Sequence, residues 1–282
     1  MDLKVNGSTR LIALIGRPLS HSKSPLIHNF SIQSLGLNQI YVPLELELSS
    51  AAETKDFLAW AWRLGFVGMN VTLPYKEYFA EALQSPLKSI NTVYRKGDAW
   101  AAASTDGPGF LRGLRHMSST EAFDRMIILG NGGAAVALAQ YALQNDLCRS
   151  CHVLRRSAEK DQHWFAHIDK NRLSFYQFEP QDLSQILAMG VHGPSLVVQA
   201  TSAPLRGDNL EHFARELEVF DGAFVDITYG HDSALLTRAS KLGIPCQDGL
   251  PMLIEQARES QRLWWGQSAS YEELSQLVAS HT

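Results

Sequence analysis

The sequence predicts an α/β protein whose main sheet is parallel and covered by helices on its faces. Three observations carry this. From Arg125 onward, short apolar runs alternate with helical stretches, the signature of repeated βαβ units. Residues before about 104 read β-α-β-α-β-α-β-β in the same style. A glycine-rich turn, Gly130-Asn131-Gly132-Gly133-Ala134-Ala135, joins a fully apolar strand to a helix.

The elements follow in order. Arg10 to Gly16 is a short apolar strand ended by Gly16-Arg17-Pro18. Ser24-Pro25 reads as a helix start, a capping hydroxyl and then proline at the first helical position. Leu26, Ile27, Phe30 and Leu35 keep helical spacing until Gly36. Ile40 to Leu46 alternates and holds Pro43, which predicts an edge strand. Ser50 to Leu64 is a helix with Phe57, Leu58, Trp60, Ala61 and Leu64 as its apolar stripe. Phe66 to Val71 is a strand, a helix starts near Tyr75, and strands follow at Ile90 to Tyr94 and Trp100 to Ala103.

Gly107-Pro108-Gly109 reads as a break, with Phe110 to Met117 a bridging helix and Ser118 to Asp124 a linker-like stretch. Then come strand Arg125 to Leu129, helix Ala134 to Gln144, strand Cys151 to Arg155, a helix near Glu159 to Ile168 and strand Leu173 to Phe178. Helix Pro180 to Ala188, strand Ser195 to Ala200, helix Leu210 to Leu217, strand Ala223 to Thr228 and helix Ser233 to Leu242 continue the alternation. A short strand at Ile244 to Cys246 and helices at Pro251 to Trp264 and Tyr271 to Ser280 complete it.

With 282 residues, 45% hydrophobic and 19% charged, the chain is long enough for one large or two ordinary domains with sizeable cores. A net charge of -4 without basic runs excludes a nucleic-acid-coating or membrane-surface role. No basic segment followed by an apolar one marks a signal peptide, and no apolar run reaches the length of a membrane span. Three cysteines cannot all pair, which fits a reducing cytoplasm. Cys148-Arg149-Ser150-Cys151 lacks a second half-site and reads as structural. No metal site and no Ser-His-Asp triad is read from the histidines, and the six tryptophans read as core packing.

The turn at residues 130–135 has the spacing of a dinucleotide fingerprint ending in alanine. Gly130 permits the tight turn, Gly132 lets backbone approach a pyrophosphate, and Ala135 lets helix and strand pack closely. The helix that follows offers free N–H groups to phosphates. After the next strand, where an NAD-binding unit carries an acid for the ribose 2′-OH, stand Arg155 and Arg156. Two guanidinium groups suit a 2′-phosphate, so NADP is expected.

Three polar segments remain. Pro18-Leu19-Ser20-His21-Ser22-Lys23-Ser24-Pro25 sets hydroxyls before a helix, Asn70-Val71-Thr72-Leu73-Pro74-Tyr75-Lys76 ends on a lysine, and Ser104-Thr105-Asp106-Gly107 supplies a carboxylate. Together they offer hydroxyl donors, one cation and one carboxylate to a small polar acid. Taken singly, Lys76 reads as a solvated lysine, Asp106 as a turn aspartate and Ser24 as a cap.

These segments and the glycine-rich turn, in this order, resemble the shikimate dehydrogenase family over nearly the whole chain. The resemblance implies an α/β substrate domain of residues 1–106 plus 249–282, a doubly wound Rossmann-type NADP domain of residues 107–248, and a cleft between them. It implies catalytic roles for Lys76 and Asp106, substrate contacts from Ser22, Ser24, Thr72, Asn91, Tyr229 and Gln256, and cofactor contacts that also include Asn131, Gly133, Ala134, Thr201 and Gly249. The implied reaction is the reversible NADPH-dependent reduction of 3-dehydroshikimate to shikimate, by a cytoplasmic monomer or homodimer without nucleic-acid or membrane partners. Departures from the family pattern fall at Ser104, Leu154, Arg156, Gln199 and Pro251. A quinate dehydrogenase using NAD or NADP and a catalytically silent binding homologue are the alternatives. The lysine–aspartate pair weighs against the silent homologue.

Overall fold

The computed structural model describes residues 5–87, 89–117, 122–158, 165, 168–190, 193–220 and 222–281. The chain forms two compact units, Met1–Gly109 with Leu253–Thr282, and Phe110–Met252. Most of the helix expected at 159–168, with Trp164, and most of the linker-like stretch lie outside the described residues.

The first unit runs β1 (Arg10–Ile15), α1 (Ser24–Ser34), β2 (Gln39–Leu44), α2 (Ala51–Arg63), β3 (Gly68–Val71), α3 (Lys76–Ala82), β4 (Thr92–Lys96), β5 (Ala99–Ala103) and the start of α4 (Asp106–Met117). Its sheet has the order β2-β1-β3-β4-β5. β1 is parallel to β2 and β3, and β4 is antiparallel to both of its neighbours. Pro43 sits on the edge strand, where a missing N–H costs nothing.

Two expectations for this unit fail. Trp60 and Leu64 are 61% and 68% exposed and so do not belong to the core stripe of α2. They stand one turn apart on the outer edge of the helix, and Arg63 covers the Trp60 ring. Gly107-Pro108-Gly109 does not interrupt the secondary structure, because all three lie in the first turn of α4, where proline loses no hydrogen bond, although the division between the two units does fall directly after Gly109. Gly109 is required there: a Cβ would stand 2.6 Å from the backbone nitrogen of Gln256.

The second unit runs β6 (Phe123–Leu129), α5 (Gly133–Gln144), β7 (Cys148–Arg155), β8 (Leu173–Gln177), α6 (Pro180–Ala188), β9 (Ser195–Gln199), α7 (Glu211–Ala214), β10 (Gly222–Asp226), α8 (Ala234–Lys241) and β11 (Cys246–Gln247). The helix expected at 210–217 is shorter and passes into a 3-10 turn, Arg215–Val219. The sheet order is β11-β10-β9-β6-β7-β8, every pair parallel. This is the doubly wound arrangement, whose strand order reverses between β6 and β9.

The alternation of β6 shows how both faces are covered. Met126 and Ile128 enter the core that holds α5, while Ile127 and Leu129 enter the core of α6, α7 and α8. Buried Arg125 interrupts this run and donates to the carbonyls of Leu187 and Met189 at the end of α6, at 3.1 and 3.2 Å. Helices α9 (Leu250–Trp265) and α10 (Tyr271–Ala279) end the chain, and most of α9 and all of α10 belong to the first unit.

Cys148 and Cys151 lie within β7, both buried, with sulfurs 3.5 Å apart. Their mutual hydrogen bond and burial push the Cys151 thiol well above its usual range, as suits packing rather than redox chemistry.

Candidate active site and nucleotide turn

Lys76 opens α3 just past β3, and Asp106 opens α4 just past β5. The adjacency of β3, β4 and β5 brings these starts together, and Lys76 Nζ lies 2.7 Å from Asp106 Oδ2. The side chains are only 17% and 6% exposed, so the pair is held away from bulk water. The other carboxylate oxygen of Asp106 accepts from Asn91 Nδ2 at 2.7 Å. Asn91 also donates to Gln256 Oε1 at 3.0 Å, and its own oxygen accepts the Thr105 backbone N–H at 2.8 Å. Those opposed partners fix which end of the Asn91 amide faces Asp106. Lys76, Asp106, Asn91 and Gln256 therefore form one connected polar cluster.

Ser22 and Ser24 stand at the entry to α1, but Ser24 is not its cap. The cap position is Lys23, with no side-chain cap bond, and Ser24 is the first helical residue. The capping geometry is reversed from the expected one: Ser22 Oγ accepts the Ser24 N–H at 3.2 Å. No acidic residue lies in the first turn of α1, so a carboxylate there meets helix N–H groups without repulsion from that turn. Lys23 is half-buried and donates to the His281 carbonyl at 3.3 Å. Thr72 is half-buried and fixed through its backbone N–H to Ile15 at 2.8 Å.

Sequence reasoning missed the support behind these residues. Tyr41 donates to Asn70 Oδ1 at 2.9 Å, and Asn70 Nδ2 reaches the Asn91 carbonyl, Thr92 and Ser260, each at 3.1 Å. His28 is buried and stacks on Tyr41 with ring centroids 4.4 Å apart. Burial pushes the His28 pKa down to about 3, so it packs as a neutral ring. Gln261 donates to Ser31 at 2.9 Å beside it. Gln256, Ser260 and Gln261 stand among Glu255, Arg258, Glu259 and Arg262 on α9, so the local pattern did not single them out.

In the second unit, Gly130 takes φ +115°, and a Cβ there would stand 2.9 Å from Thr201 Cγ2. Thr201 thus lies against the glycine turn, at the end of β9 beside β6. Gly132 caps α5 without any side-chain cap bond, and a Cβ on it would meet nothing within 4 Å. Gly133 and Ala134 follow as the first residues of α5. Asn131 donates to the Ser157 carbonyl at 2.9 Å, which joins the glycine turn to the segment after β7. Arg155 lies 4.6 Å over Phe175, and Arg156 lies 5.0 Å over Phe178 and 3.7 Å from Asp208.

An uncapped helix start with open space over a glycine, next to two arginines, fits a nucleotide carrying a 2′-phosphate. Gln199 is buried and serves the turn itself, accepting the Thr201 N–H and donating to Asp226 at 3.3 Å. Gly249 is buried with its N–H on the Thr228 carbonyl at 2.9 Å, and Tyr229 follows β10, half-buried. Pro251 falls in the first turn of α9, where it is tolerated. His163 and His167 stand four residues apart, a spacing the metal-free reading passed over, and both lie outside the described residues.

A doubly wound sheet with a glycine turn at its switch point, and a shielded lysine–carboxylate pair in the other unit, are the parts of a nucleotide-dependent oxidoreductase. The comparisons specify which. A family profile described as shikimate dehydrogenase substrate binding domain matches residues 14–93. The shikimate dehydrogenase (NADP(+)) of Thermosynechococcus vestitus is 31% identical over 283 residues, covering 94% of this chain and 93% of that protein. The crystal structure of shikimate dehydrogenase from Aquifex aeolicus superposes with a TM-score of 0.81 at 27% identity, over 98% of this chain and 99% of that one. The shikimate 5-dehydrogenase of Thermus thermophilus, solved in complex with NADP(H) and shikimate, gives 0.78 at 28% identity, over 97% and 100%. The chain belongs to the shikimate dehydrogenase family.

Proposed function

We propose that this chain is an NADP-dependent shikimate dehydrogenase that reversibly reduces 3-dehydroshikimate to shikimate, a step of aromatic amino-acid biosynthesis. The observation that carries this reading is the shielded Lys76–Asp106 pair, 2.7 Å apart and buttressed by Asn91, in a chain of this family. NADPH, when bound, supplies the hydride. Hydride addition to the ketone leaves an alkoxide, and Lys76 Nζ stabilises that charge and gives it a proton. Asp106 keeps the ammonium in place through Oδ2 while Asn91 holds Oδ1, so neither carboxylate oxygen is left to swing. In oxidation Lys76 takes the hydroxyl proton back.

Ser22, Ser24 and the N–H groups opening α1 receive the substrate carboxylate, and Thr72, Asn91, Gln256 and Tyr229 receive its hydroxyls. Gly130 to Ala134, Thr201 and Gly249 hold the nucleotide backbone, and Arg155 and Arg156 its 2′-phosphate. Among the described residues no helix is long and apolar enough to cross a membrane. The three cysteines are free, which suits a cytoplasmic enzyme. The test is an absorbance assay at the reduced-nicotinamide band with shikimate or quinate and either NADP+ or NAD+. This reading expects the shikimate–NADP+ pair to dominate. Quinate oxidation with NAD+ as the best pair would replace it by the quinate reading, and no turnover with any pair by the silent-homologue reading.

A further inference from the structure

We propose that Ser260 is a positioning residue for Gln256 and Asn91; this rests on reading Gln256 as a substrate contact. Ser260 lies one turn beyond Gln256 on α9 and is 1% exposed. Its hydroxyl is the centre of a cluster drawn from four segments. It donates to the Gln256 carbonyl at 3.1 Å, one turn back. It stands 2.8 Å from Thr92 Oγ1, 3.4 Å from Thr105 Oγ1 and 3.1 Å from Asn70 Nδ2.

Counting protons gives the cluster a direction. The Ser260 hydroxyl donates to the Gln256 carbonyl and accepts from Asn70 Nδ2, while either hydroxyl of the Ser260–Thr92 pair can donate to the other. On the far side, Asn91 is locked by the Thr105 N–H on its oxygen and by Asp106 on its nitrogen. Its amide hydrogens are therefore what Gln256 Oε1 meets at 3.0 Å. Gln256 accepts from Asn91 with its oxygen and turns its own N–H donors to the substrate hydroxyl. Ser260 sets the height of the helix turn from which Gln256 makes that choice, because it ties the turn to β4 next to Asn91. A buried hydroxyl with these partners cannot be dropped without loosening both ends of the link.

The test is a double-mutant cycle on the whole enzyme with Ser260→Ala, Gln256→Ala and the pair, reading KM and kcat for shikimate, KM for NADP+ and the melting temperature. Ser260→Ala is expected to raise the shikimate KM roughly tenfold, the size of a misplaced contact, with NADP+ KM unchanged. In the Gln256→Ala background it is expected to add almost nothing, since residues acting as a unit are not additive. Full additivity, or a lowered melting temperature with an unchanged shikimate KM, would overturn the proposal and leave Ser260 a packing residue. If Gln256→Ala alone leaves KM unchanged, the substrate role of Gln256 falls, and the proposal with it. Should Ser260→Ala fail to fold, Thr92→Val removes the partner hydroxyl at nearly constant volume and runs the same cycle, with the same outcomes deciding.

Discussion

The guanidinium of Arg156 stands 3.7 Å from the carboxylate of Asp208, whereas Arg155 rests 4.6 Å over the ring of Phe175. The two arginines that mark the cofactor preference are thus held differently. Phe175 packs against the core that contains α5, and Phe178, under Arg156, belongs to the opposite core.

Replacing both arginines with neutral residues is expected to weaken NADPH binding by roughly 10- to 100-fold, the range of a charge-assisted hydrogen bond, and NADH binding far less. Added salt should weaken NADPH more than NADH in the wild type. Asp208→Asn should act in the opposite direction, by a few-fold at most, because an exposed ion pair is weak. Fluorescence titrations of the wild type and these variants with both nucleotides check this. Equal binding of NADH and NADPH by the wild type would reduce the arginines to a solvated pair.

The serine pair separates by a second experiment. Ser24 makes no cap bond, so Ser24→Ala should raise the shikimate KM about tenfold without the ~1 kcal/mol loss of a capping residue. Ser22 accepts the Ser24 N–H, so Ser22→Ala should raise KM similarly and also cost some stability, about 0.5–1 kcal/mol. Thermal melts with steady-state kinetics decide between these patterns. An unchanged KM in both variants would remove the serines from carboxylate binding.

His28 gives a stability prediction. Its folded pKa of about 3 lies below the unfolded value of 6.5, because burial disfavours the charged ring. Below pH 6.5 the unfolded chain takes up a proton that the folded chain refuses, so this group costs stability as pH falls from 6.5 towards 3. The slope is about 1.4 kcal/mol per pH unit at its steepest. Denaturant melts of wild type and His28→Gln between pH 7 and 4.5, a range set by the roughly 6.5 reference pKa, should therefore diverge, with the variant flatter. Parallel curves would show that His28 is protonated without penalty in the folded protein.

Much of the fold was legible because apolar periodicity is a local property. Pro43 announced an edge strand, and Gly130 announced the turn at the switch point. The failures have physical causes. Gly107-Pro108-Gly109 reads as a break in isolation, but the first helical turn tolerates proline, and close contact with Gln256 demands a glycine. Trp60 is apolar at helical spacing, yet the core stripe of α2 closes on Thr54, Leu58 and Ala61 and leaves it outside. Ser24-Pro25 has the composition of a cap, but the preceding Ser22 takes the N–H that decides it. Ser260, Asn70 and Tyr41 carry no local signal, since the bonds that join them are long-range, 29 positions for Tyr41 to Asn70 and 190 for Asn70 to Ser260.

In the proposed reaction Lys76 transfers the proton. Its most direct test is the turnover of folded Lys76→Ala with saturating shikimate and NADP+, beside wild type and Asp106→Asn. The variant's kcat is expected to fall roughly 100-fold or more with a smaller change in KM, the pattern of an interaction made in the transition state. A Lys76→Ala enzyme that melts like the wild type and turns over at a near-normal rate would contradict it.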